Sequence, residues 1–210
     1  MENKKIKLIT QIIFYGALWG FLEATLGYFL HFVPTMIAGT IMFPIASVIL
    51  LRAYNKTNSK AALLMIGGVA AAIKSIDLFL PSFSIYKTIN PMVSIVLESL
   101  LVFAVVMLFT SEKVTNKIAA AQVASIGWRV GYVFYMLIIL ASTGFAADPL
   151  LSVVNLIQFT LISGVIGGLL ASSLIYADES YGRKLDFNLD LKPVFAAMLL
   201  LVAAVATFTL

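Results

Sequence analysis

The stretch Gly16-Ala-Leu-Trp-Gly-Phe-Leu-Glu-Ala-Thr-Leu-Gly-Tyr-Phe-Leu-His-Phe-Val-Pro34 lies inside the first long apolar run of the chain. At about 100° per residue, Gly16, Gly20, Glu23, Gly27, His31 and Pro34 fall on one narrow stripe of a helix, with Ala24 at its border. Small residues at this spacing let a second backbone come close, as they do between helices in a bilayer. A carboxylate on the same stripe, flanked by apolar residues, is costly in lipid and should face a protein interior or a wet cavity. The stretch reads as a membrane helix with a polar inner face.

Composition extends that reading to the whole chain. Of its 210 residues 61% are hydrophobic and 11% charged, and the mean hydropathy is +1.04. Soluble domains hold about 45–50% apolar and about 25% charged residues. The formal charge of +4 comes mostly from short loops, where basic residues orient helices; no nucleic-acid partner is expected. Absence of cysteine excludes disulfides, thiolate metal sites and cysteine nucleophiles. Lys4, Lys5 and Lys7 ahead of an apolar run imitate a signal peptide. The run is too long for one, contains Glu23 and lacks a small-residue cleavage site, so it is expected to stay as the first helix.

About 20 residues cross the hydrocarbon core, and seven segments reach that length: 9–33, 35–54, 61–80, 91–110, 123–145, 149–176 and 193–210. The last is the shortest and leaves six spans as the alternative. Eleven basic residues lie before segment one and between segments two and three, four and five, and six and seven; the remaining loops hold only Lys87. By the positive-inside rule the N-terminus should be cytoplasmic and the far end external. The expected fold is all-α, a polytopic helix bundle of about seven spans in the cell membrane, with residues 1–210 as one integral domain in contact with the lipid bilayer. Residues 176–192 should form a cytoplasmic polar loop, 82–90 a lid on the outer face, and 111–122 an amphipathic surface stretch. Pro34, Pro81, Pro91, Pro149 and Pro193 suit helix ends, whereas Pro44 falls mid-segment.

Depth is the informative coordinate for the polar groups. At about 1.5 Å per residue, Glu23, Lys74 and Asp77 lie roughly 20–25 Å above the cytoplasmic edge. Glu98 sits roughly 11 Å below the outer end of its segment, and Asn155 and Gln158 fall in a similar outer layer. These residues are the expected substrate-binding set, with His31 at the outer interface. Each also has a plain structural role open to it. Lys74 and Asp77 are spaced to neutralise each other, Glu23 or Glu98 could be protonated glue, and the two amides could join helices. Arg129, near the start of its segment, should snorkel to the interface. Three carboxylates against one ammonium leave the layer at minus two, which a cation, a cationic substrate or protonation would relieve.

Absences narrow the chemistry further. One histidine and no cysteine build no His-Glu-x-x-His metal site, and no Gly-x-x-x-x-Gly-Lys-[Ser/Thr] phosphate loop occurs. No metal, cofactor or catalytic residue is expected.

In size, hydrophobicity, basic N-terminus, small-residue stripe and outer polar groups, the chain resembles the substrate-binding (S) components of energy-coupling-factor transporters. The resemblance implies uptake of a vitamin-like solute or micronutrient, driven by a separate ATPase pair through a transmembrane coupling subunit. It further implies that Gly16, Gly20 and Ala24 dock on that subunit. The chain departs from most S-components in its seventh segment, and Glu2 departs from the Met-His metal site of the seven-helix cobalt and nickel members. Two other classes stay open. One is a stand-alone proton- or sodium-coupled transporter using Glu23, Asp77 or Glu98, although no internal repeat supports it. The other is a non-transporting membrane scaffold.

Overall fold

Each apolar run folds as a helix, and several helices stop where the sequence supplies an end. The computed structural model describes residues 2–30, 35–80, 85–108, 114–181 and 191–209, with no strand among them. Helix α1 is Glu2–Leu30, α2 Thr35–Thr57, and α3 Lys60–Lys74, prolonged by a 3-10 turn at Ser75–Phe79. Next come α4 (Ile85–Leu108) and α5 (Val114–Thr143). A short α6 (Val153–Ile157) runs through a π turn at Gln158–Ile162 into α7 (Ser163–Tyr181), and α8 is Pro193–Thr209. Asn58, at φ +49°, ends α2 with its N–H on the Tyr54 carbonyl at 2.7 Å; Gly144, at φ +73°, ends α5 on the Leu140 carbonyl at 2.9 Å. Both are left-handed caps, a conformation glycine and asparagine reach most easily.

Six of these rods are long and apolar enough to cross a membrane, which makes the fold an all-α bundle of the multi-pass membrane type. The 17 residues of α8 reach only about 25 Å at 1.5 Å per residue, against a hydrocarbon core of about 30 Å. Among the described residues the count is therefore six helices of spanning length and a short apolar seventh.

Three boundaries differ from expectation in the same sense. Helix α4 begins six residues ahead of Pro91, so the part of the expected lid from Ile85 onward is helix and Pro91 lies inside it. Helix α5 begins at Val114, which absorbs the expected surface stretch from that residue on. Helix α7 continues to Tyr181, so the start of the expected cytoplasmic loop is helical; residues 182–190 lie outside the described ones. Polar side chains such as Lys87, Asn116 and Asp178 lower hydropathy without breaking i→i−4 backbone bonding. Hydropathy marks where the lipid ends, and the helix runs past it.

The rods α1, α3, α4, α5, α7 and α2 form a circuit in which each packs on the next and α2 returns to α1, while α8 lies against α1. Glycines set the closest approaches. A Cβ on Gly16 would stand 2.6 Å from Val69 and one on Gly20 2.6 Å from Ile73, both on α3. The same holds between α3 and α4 at Gly67 and Ser99, and between α5 and α7 at Ile126 and Gly164. Helix α8 turns Ala196, Ala203 and Thr207 inward, and Ala203 joins Ala17 and Ile73 in a small cluster. Large apolar side chains such as Leu100, Phe134, Ile138, Leu169 and Leu201 are exposed instead. Small residues at the closest helix contacts and large apolar ones on the outer surface is the arrangement expected when lipid is the solvent.

Candidate functional site

Among the described residues, five charged side chains from four helices gather toward the interior of the circuit. Lys74 closes α3, and the tightened 3-10 turn that follows brings Asp77 back over it, Nζ to Oδ2 at 2.8 Å. Both are buried, at 6% and 4% exposure. Glu98, on α4, is 3% exposed. Glu23, on α1, is half-buried and lies within range of the Lys74 charge. Glu98 in turn feels the charges of Glu23 and of Arg129. No hydrogen bond or ion pair from the described residues holds either glutamate.

Arg129 corrects the sequence reading. It does not snorkel: it is fully buried, because α2 and the rings of Trp128 and Phe159 close over it. Its Nη1 donates to the Ser125 carbonyl at 2.9 Å and Oγ at 3.0 Å, and its Nη2 to Thr40 Oγ1 at 3.2 Å. The guanidinium carbon sits 4.5 Å from the Trp128 ring centroid and 6.0 Å from that of Phe159. Its Nε is buried without an acceptor. With Arg129 included, the five groups sum to minus one rather than the minus two expected from four.

Aromatic rings floor this layer. Trp128 stacks on Phe43 and meets Tyr132 and Phe159 edge-on. Tyr135 Oη donates to Asn90 Oδ1 at 2.9 Å.

No family model, no curated protein and no solved structure matches this chain.

The other expected site residues are dispersed. Asn155 is half-buried and donates through Nδ2 to the Asp148 carbonyl at 3.0 Å, which ties the start of α6 to the preceding turn. Gln158 opens the π turn and is exposed, whereas Phe159 beside it turns inward. His31 lies outside the described residues. Ala24 is buried, and the faces of Gly16 and Gly20 are covered by α3 of the same chain. Among the described residues no group of three or more His, Cys, Asp or Glu could hold a metal ion.

The sequence reading missed Arg129, Thr40 and Ser125 as one unit. The signal available was the Ser125–Arg129 spacing of four, which puts both on one helix face. The Arg129–Thr40 contact spans 89 positions and has no local signature.

Proposed function

We propose that this protein binds a small charged solute at the Glu23–Glu98 pair and carries it across the membrane. The observation that supports this is Glu98, buried on α4 with no hydrogen bond or ion pair from the described residues and within electrostatic range of Glu23. An uncompensated carboxylate at that depth is costly, and a cationic group between the two would relieve it. Lys74 and Asp77 neutralise each other and serve as the wall of the site. In its most specific form, the reading is that of a substrate-binding component of an energy-coupling-factor-type uptake system, open to the outer face.

Liquid chromatography and mass spectrometry of solute released from the purified protein tests the reading. Glu98→Gln and Glu23→Gln should each lose the solute while keeping the fold, with an affinity loss of about 1.5–3 kcal/mol for a hydrogen bond to a charged group. Equal retention in the wild type and the double variant would end the proposal.

One observation favours a second reading. The stripe that would dock on a coupling subunit is covered internally, since Gly16 and Gly20 lie against Val69 and Ile73. A stand-alone, ion-coupled transporter needs no such face. Co-purification of an ATPase pair from the native membrane supports the first reading, and solute binding without such a pair supports the second.

A further inference from the structure

Arg129 is a charge with an unfilled bonding edge. A guanidinium has five N–H donors in a rigid fork suited to carboxylates. Three hydrogen bonds engage its Nη groups, and all three acceptors are neutral oxygens of Ser125 and Thr40. Nε has none, although the side chain is fully buried. Glu98 is near enough to be felt but forms no ion pair with it. Trp128 covers one side of the guanidinium. At Gly167 a Cβ would stand 3.3 Å from Nη2, so the α7 backbone packs close on that side and the edge carrying Nε is the one without a partner. A buried cation without a contacting anion is as costly in this setting as the glutamates opposite it.

We infer that the solute is a zwitterion whose carboxylate docks on Arg129 while its ammonium lies at Glu98 and Glu23. The inference rests on the solute-binding reading above and names the substrate class for that site. A purely cationic solute leaves the guanidinium unmatched, and a purely anionic one leaves both glutamates unmatched. A molecule carrying both signs satisfies the two ends at once.

The test uses the full-length chain in detergent. Its probes are the common free amino acids, β-alanine and γ-aminobutyrate, each with its methyl ester (ammonium only) and its N-acetyl form (carboxylate only). Thermal-unfolding shifts give apparent affinities, and mass spectrometry reports the charge type of any solute released on denaturation. The expected result is stabilisation by at least one zwitterion, with both derivatives weaker by about tenfold or more, as for a lost hydrogen bond to a charged group. Release of a zwitterionic solute supports the inference equally. A derivative that binds as well as its parent, or a released solute of one sign, overturns the inference and leaves solute binding standing. No response in any form together with no released solute removes the binding reading itself.

Arg129→Lys places the carboxylate. Lysine keeps the buried charge but not the fork, so the free amino acid should weaken about tenfold while its methyl ester is unchanged. Equal losses for the two would place the carboxylate elsewhere.

Discussion

Two sets of charges occupy this bundle, and their surroundings separate them. Near the end of α7, the consecutive acids Asp178 and Glu179 reach to different neighbours, Arg52 on α2 and Lys117 on α5. These four side chains are 23–50% exposed. Inside the circuit, Lys74 and Asp77 make a pair of ordinary length with both side chains below a tenth exposed. Chemically the pairs are alike. An exposed pair contributes about 0.2–1 kcal/mol, because water screens it and two long side chains must be ordered. Breaking a buried pair costs about 3–5 kcal/mol, because the remaining charge is stranded. The end pairs clasp helices loosely, and the inner pair is fixed by the impossibility of parting it cheaply.

The widest separation between the two sets is expected from Lys74→Met, which leaves Asp77 alone in the interior. Chemical unfolding in detergent should show a loss of about 3–5 kcal/mol, most of it recovered when Asp77→Leu is added. If Lys74→Met costs no more than Lys117→Met, the contrast collapses. A second variant asks whether burial alone, without charge, sets such a scale. Gly20→Leu drives a side chain into Ile73 across the α1–α3 contact, and overpacking of this kind costs about 1–3 kcal/mol. Gly68, with nothing within 4 Å of a Cβ, is the matched control: Gly68→Ala should be neutral or slightly stabilising. The smallest effect belongs to Arg52→Gln and Glu179→Gln, at or below about 1 kcal/mol each and fading as salt is raised. A salt-insensitive loss there would mean that these pairs are less hydrated than their exposure indicates.

The same contrast explains what could be read in advance. Apolar runs near 20 residues long name membrane helices directly, since the lipid fixes their length, and each expected segment corresponds to a rod. The Lys74–Asp77 pair was legible because a spacing of three is a local fact. Gly16 and Gly20 were legible as a close approach, but helical periodicity identifies a face and says nothing of the neighbour that fills it. Within the chain that neighbour is α3. Arg129 reads as a rim residue when depth is counted from residue 123, and the partner that holds it inside the bundle, Thr40 on α2, is remote in sequence. The π turn at Gln158–Ile162 left no trace in the sequence at all, because a one-residue change of bonding register alters no periodicity strongly enough to see.

The contact between α1 and α8 also bears on how the protein is made. The face of α1 that ends against Ala203 belongs to a rod translated well before its cover, α8. At about 5–20 residues per second, the intervening chain takes roughly ten to forty seconds to emerge. Through that interval α1 sits in the bilayer with lipid, or a helper protein, where α8 will later lie. The circuit of six can close before α8 arrives. Docking of α8 then follows closure of the circuit, and a ribosome stalled between α7 and α8 would leave an assembled ring with one bare flank.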